Sequence, residues 1–163
     1  MHFGFAPYFN LRAAHIGLNK IKRITMKRIL VLLSLIMILI VSCQTENYVE
    51  INEEIIIVEL ARTDNEIQQG LMFRDNLCDN CGMLFIFNEE NKHKFWMKDT
   101  KIPLDMIFIN SNLEVVDLLY AIPCVEDPCK YYVPSKNSLY VLETNGNEFD
   151  NSIIGQKIEM VIE

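Results

Sequence analysis

The chain reads as an α+β protein that is mainly β, and three observations carry that reading. Short runs rich in β-branched and aromatic residues recur from residue 54 onward. Clusters of Asn, Asp, Gly and Pro separate them. One well-marked helix start interrupts the series. The expected architecture is a compact sheet or partly closed barrel, with one short N-terminal helix and a second short helix near the C-terminus.

Glu54–Ala61 (EIIIVELA) opens the domain as a strand because β-branched residues dominate it. Thr63-Asp64-Asn65-Glu66 follows, with Thr three residues before Glu, the pattern of a capping box. Ile67, Leu71 and Met72 then supply the apolar stripe of a helix over Asp64–Phe73. Met83–Phe87, Lys94–Met97, Leu104–Ile109, Glu114–Tyr120 and Ser138–Glu143 read as further strands. Asn88–Asn91, Asp99–Pro103 and the long Pro123–Asn137 segment read as turns and loops, and Asn110-Ser111-Asn112 as a hairpin connection. Lys157–Ile162, after Gly155, is the last strand. Leu104–Ile109 is apolar on both alternating faces except at Asp105, which marks it as central. A carboxylate there must lie near an end or be paired, and Arg74 is a candidate partner. A pair or a backbone hydrogen bond that locks a turn is preferred to a catalytic role.

Ahead of the domain, Met26–Gln44 (MKRILVLLSLIMILIVSCQ) has a charged start, an apolar core and small residues before a cysteine. It is similar to a secretory signal of the bacterial lipoprotein type, in which Cys43 is acylated and becomes the mature N-terminus. The apolar run of about a dozen residues is short for a bilayer-spanning helix, which needs roughly 20. Residues 1–25 read as an upstream segment preceding a start at Met26, residues 26–42 as the signal, 43–53 as a tether and 54–163 as one domain. Gln44 after the lipidated cysteine resembles a signal compatible with the outer membrane of a two-membrane cell.

Residues 43–163 hold 9 Lys/Arg against 22 Asp/Glu, a formal charge of −13. That balance repels phosphate backbones and excludes nucleic-acid binding as the expected role. Acidity of this kind keeps a tethered domain soluble.

Several ordered motifs then converge. Gly70-Leu71-Met72-Phe73-Arg74, Gly82–Phe87, Phe95-Trp96-Met97-Lys98-Asp99-Thr100, Pro103-Leu104-Asp105, the Cys124–Cys129 segment and Tyr140-Val141-Leu142-Glu143 resemble the family called domain of unknown function 192. The resemblance runs from about Glu54 to Ile162. It implies a small β-rich fold, often exported, and no activity, so no catalytic residue is carried over. Asp99 stands where the family commonly has Asn, and Cys78 and Cys81 lie outside its usual pattern.

Four cysteines besides Cys43 need an account: Cys78, Cys81, Cys124 and Cys129. Structural disulfides suit an exported domain. A four-cysteine zinc site is a second reading, although zinc ribbons favour two tight CxxC knuckles and the second spacing here is wider. A redox dithiol at Cys78/Cys81 is the third, but the flanking Asp75 and Asp79 disfavour a thiolate. No other cofactor is expected. His93, the lone histidine of the domain, would have to serve any triad, yet no GxSxG-like element accompanies it. Strand alternation places Lys94, Trp96 and Lys98 on one face, suited to a small anionic or sugar-like ligand. Arg74 and Asp105 are further candidates for that surface.

The expectation is a lipid-anchored extracytoplasmic binding or accessory module of the cell envelope, without catalysis. Its partners would be the membrane, through the lipid, and a small ligand or an envelope protein. The alternative is an envelope thiol-disulfide or metal-handling protein. A hydrolase would need a pocket gathering Asp105, His93 and Arg74.

Overall fold

The computed structural model describes residues 26–30 and 46–163. Met26–Leu30 form helical turns, and among the described residues no helix is long and apolar enough to cross a membrane. The expectations for residues 1–25, for most of the signal and for Cys43 lie outside the described residues.

The domain is a curled, mainly β half-barrel with two short helices. Its strands are β1 (Tyr48–Ile51), β2 (Glu54–Ala61), β3 (Cys81–Asn91), β4 (Phe95–Trp96), β5 (Leu104–Ile109), β6 (Val115–Ala121), β7 (Tyr131–Tyr132), β8 (Ser138–Asn145) and β9 (Glu159–Val161). Helix α1 covers Asp64–Gln69, and a 3-10 turn covers Asn151–Ile153. Seven strands form one sheet in the order β6-β5-β8-β3-β2-β1-β9, and β4 pairs with β7 in a separate ribbon. Only β2 and β3 run parallel, with α1 as their crossover; every other pair is antiparallel. An isolated bridge, Glu114 to Lys157, joins the segments that lead into the two edge strands, so the sheet curls nearly shut.

Local chemistry explains where α1 begins and ends. Thr63 Oγ1 accepts from the Glu66 amide at 3.3 Å, while Glu66 Oε2 accepts from the amides of Thr63 and Arg62, each at 2.9 Å. Both halves of the capping box are present. Gly70, at φ 47°, ends the helix, and its amide donates to the Glu66 carbonyl at 2.8 Å. The helix is therefore shorter than the expected Asp64–Phe73 stretch.

Two apolar layers flank the sheet. One gathers Val49, Ile51, Ile56, Val58, Leu84, Ile107, Ile109 and Leu142 on the face toward which the sheet curls. The other gathers Leu71, Phe85, Phe95, Met97, Met106, Phe108 and Val141 beneath the α1 region and the β4–β7 ribbon. Every residue of β5 is buried, as expected for a central strand with both faces covered. Alternation sends Leu104, Met106 and Phe108 to one layer, and Ile107 and Ile109 to the other.

Asp105 follows that alternation away from the α1 side. It is 1% exposed and accepts from the Asn147 amide at 3.1 Å and the Phe149 amide at 2.9 Å. Arg74 is not its partner: the guanidinium makes a two-bond pair with Glu59, at 2.5 and 2.6 Å. That pair holds the Glu59 carboxyl below its ordinary range. Asp105 thus clamps the turn after β8 and takes no part in a surface.

The structure differs from the sequence reading in three further places. Asn88–Asn91, read as a turn, continues β3, whose pairing with β8 shifts register and resumes at Asn91 opposite Ser138. Strand β1 occupies Tyr48–Ile51 within the segment read as tether, where it bridges β2 and β9. Strand β7 lies inside the segment read as one long loop, held there by pairing with β4. Asn110 does form the hairpin connection, its side chain accepting from the Asn112 and Glu114 amides at 2.9 and 3.0 Å.

Replacing Asp105 by Ala leaves two part-buried amides of the turn after β8 without their acceptor and opens space at a buried strand position. The substitution is expected to lower unfolding free energy by about 1–3 kcal/mol, read from the urea midpoint at constant slope. A change within about 0.5 kcal/mol would contradict the clamp.

Candidate functional site

The α1 region, the β4–β7 ribbon and the 97–100 turn meet at a groove of about 760 Å³. Its walls are Asn65, Gln68, Gln69, Met72, Phe73, Trp96, Lys98 and Asp99. The Phe73 amide donates to the Asp99 carbonyl at 2.8 Å, which ties the chain after α1 to the turn after β4. Phe73 itself is 64% exposed at the rim.

Trp96, Lys94 and Lys98 do share one feature. Trp96 lies parallel to Tyr131 of β7, with ring centroids 6.0 Å apart and planes 3° from parallel. Lys94 Nζ sits 4.9 Å from the Tyr131 ring centre, and Lys98 Nζ sits 5.8 Å from that of Trp96. The result is a ladder along the ribbon in the order Lys98, Trp96, Tyr131, Lys94, two stacked rings with a cation at each end. Arg74 and Asp105 do not join it, because one pairs with Glu59 and the other faces the opposite layer. His93 stacks on Phe87, with centroids 3.6 Å apart, and bonds to the Glu89 carbonyl. No pocket gathers Asp105, His93 and Arg74 among the described residues.

Behind the groove lies a chamber of about 30 Å³, lined by residues that include Gln68, Gln69, Gly70, Trp96, Thr100 and Glu143. Gln68, Gln69, Met72 and Trp96 line both spaces. Glu143 of β8 is 4% exposed, and its registered neighbours on β3 and β5 are Met83 and Met106. Burial alone pushes its carboxyl up to about 8, with no hydrogen bond or neighbouring charge contributing. The group is therefore largely neutral near pH 7 and available as a donor. Sequence reasoning quoted Glu143 within a motif and gave it no role. The signal that points to it is a lone acid directly after the apolar run Leu139–Leu142 within one predicted strand. Tyr131 was likewise missed, because its strand is only two residues long.

The four cysteines form two local bridges rather than one cluster. Cys78 pairs with Cys81 and Cys124 with Cys129, at Cα separations of 5.3 and 5.6 Å. The four sulfurs do not converge, so a four-cysteine zinc site is not assembled among the described residues. Cys124, Asp127 and Cys129 do bring three potential metal-ligand atoms within 4.8 Å of one another, two of them bridged sulfurs. Asn145 Nδ2 donates to the Cys78 carbonyl at 3.1 Å and anchors the first bridged loop to β8. Lys98 Nζ lies 3.8 Å from Asp127 of the second, linking that loop to the groove rim.

The raised carboxyl has a consequence for stability. Between its ordinary value of 4.5 and about 8, the folded chain keeps a proton on Glu143 that the unfolded chain has lost. The contribution is intact below that window, and stability falls as pH rises through it. Glu143→Gln removes this component, which amounts to at most about 1.4 kcal/mol per pH unit. Urea titrations of both proteins across the window check it; parallel pH profiles would contradict it.

Comparison with known proteins agrees with this architecture. The family model described as DUF192, an "Uncharacterized ACR", matches residues 47–160. A UPF0127 protein from Thermococcus sibiricus is 33% identical over 113 residues, spanning 65% of this chain and 67% of that protein. One from Pyrococcus furiosus is 34% identical over 93 residues, spanning 53% and 71%. A crystal structure from Sinorhizobium meliloti 1021, provisionally described as a transcription regulator, superposes with a TM-score of 0.63 at 30% identity, covering 71% of this chain and 94% of that one. A protein of unknown function from Novosphingobium aromaticivorans DSM 12444 gives 0.60 at 33% identity, covering 71% and 84%. The chain belongs to the DUF192 family of uncharacterized proteins.

Proposed function

We propose that this chain is a lipid-anchored extracytoplasmic binding module whose Trp96 groove takes a small polar ligand, anionic or sugar-like. The observation that carries the reading is the groove itself. It has the volume of a small-molecule site and presents an aromatic ring, two glutamine amides and a cation from elements tied together by backbone hydrogen bonds. An aromatic face flanked by amide donors suits a sugar ring, and Lys98 suits a carboxylate on that ring. The arrangement serves binding; it offers no nucleophile with an adjacent base.

The anchor reading rests on the sequence before the domain. Acylation of Cys43 would leave Gln44–Asn47 as the link to β1, a reach of at most roughly 14 Å. The domain would work close to the bilayer surface, outside the cytoplasm, where both bridges serve as staples. The description carried by the Sinorhizobium protein does not transfer, since a formal charge of −13 on residues 43–163 opposes a nucleic acid.

Trp96 is the sole tryptophan, so its fluorescence reports the groove directly. Titration with N-acetylglucosamine and with glucuronate is expected to change that emission saturably. Lys98→Ala is expected to weaken glucuronate about two- to five-fold, the scale of an exposed ionic contact. No saturable change with either sugar contradicts the groove reading. For the anchor, metabolic labelling with an alkyne fatty acid is expected to mark the wild-type chain and not Cys43→Ser. Equal labelling of both would contradict acylation at Cys43.

A further inference from the structure

We infer that the chamber behind the groove is a recognition subsite for a ligand carbonyl, which accepts a hydrogen bond from the Glu143 carboxyl group. The inference rests on the groove reading above and adds the chemical class of the group that enters deepest.

The chamber is built rather than incidental. Its volume of about 30 Å³ exceeds the 10–15 Å³ that one water needs, so it holds about two waters or the tip of a ligand. Glu143 lines it, 4% exposed, with no side-chain hydrogen bond among the described residues. A carboxyl withdrawn this far from bulk water gains from a hydrogen-bond partner in the space beside it. Gly70 helps to keep that space open. A side chain there would bring a Cβ within 3.2 Å of the Phe85 ring and 4.0 Å of Glu143 Oε2, on a backbone already at φ 47°.

The surroundings select the ligand group. From α1 and the segment after it come Ile67, Gln68, Gln69, Gly70, Leu71 and Met72. From β3 and β4 come Phe85, Phe95 and Trp96, and Thr100 closes the chamber. None of these titrates, and Met83 and Met106 flank Glu143 within the sheet. The nearest ionisable walls, Lys98 and Asp99, belong to the outer groove. With no cation facing it, the carboxylate form has no partner. With no second acid beside it, the chamber lacks the ligand set of a divalent-ion site. A neutral carboxyl donates one O–H, and an acceptor-only carbonyl is its complement. Gln68, Gln69, Met72 and Trp96 wall both spaces, so a ligand seated against Trp96 can extend its carbonyl inward.

The test uses N-acetylglucosamine, whose acetamido group supplies the carbonyl, on the purified full chain. Trp96 emission reports binding, and infrared difference spectra report the protonated carboxyl of Glu143. The wild type is expected to show a carboxyl C=O band that is absent from Glu143→Gln and shifts to lower frequency when the sugar binds. Its affinity is expected to fall roughly tenfold or more from about pH 6.5 to about pH 9.5, as the donor ionises. Glu143→Gln, whose amide keeps a donor, is expected to change less than about twofold over that range. Sugar binding with an unmoved band, or superimposable pH profiles for the two proteins, overturns the chamber inference and leaves the groove reading standing. Emission that responds to glucuronate and not to N-acetylglucosamine does the same. Silence toward both sugars overturns both. The band shift is read in the wild type, so the test survives a variant that fails to fold.

Discussion

Strands β5 and β8 pair at the middle of a sheet that is covered on both faces, and the rest of the molecule depends on that double burial. Strand geometry then leaves each side chain only two directions, into one apolar layer or into the other. Asp105 and Thr144 are registered opposite each other and point toward the curled face, where Asp105 finds two amides of the turn after β8. Glu143, one residue earlier, points the other way, beneath α1 and the ribbon. Two acids that differ by one step in the alternation thus meet opposite fates. One is consumed by structure, and one is left unpaired at the edge of a void.

The sequence made some of this legible for local reasons. Thr63 and Glu66 cap α1 through atoms within four residues of each other, and Asn110 closes the β5–β6 hairpin in the same way. Glu54–Ala61 and Leu104–Ile109 carry enough β-branched and apolar character to declare themselves. Strands β1 and β7 do not. Tyr48–Ile51 sits among acids and becomes a strand because β2 and β9 flank it. Tyr131–Tyr132 becomes one because Phe95 and Trp96, far away in the chain, pair with it. These are tertiary effects that override weak local preference.

The site divides along the same line. Alternation alone placed Lys94, Trp96 and Lys98 together. It could not supply Tyr131, which completes the ladder from another strand. Nor could it supply the environment of Glu143, which exists because Leu71, Phe85 and Phe95 close over β8 from three separate segments. Grouping Arg74 and Asp105 with the Trp96 surface failed for a physical reason: Glu59 lies on the adjacent face and captures the guanidinium in a two-bond pair. The cysteines resolve locally, since each pair lies within a short loop that a bridge can close.

Fold and site together describe an acidic domain with a recess beneath α1 that leads toward a buried carboxyl. The central claim is that Glu143 is held neutral in that recess. Carbon-13 NMR of side-chain carboxyl-labelled glutamate, assigned with Glu143→Gln, follows the group through its own titration. A midpoint near 8 is expected for this one glutamate. A midpoint at the ordinary value of 4.5 would contradict it.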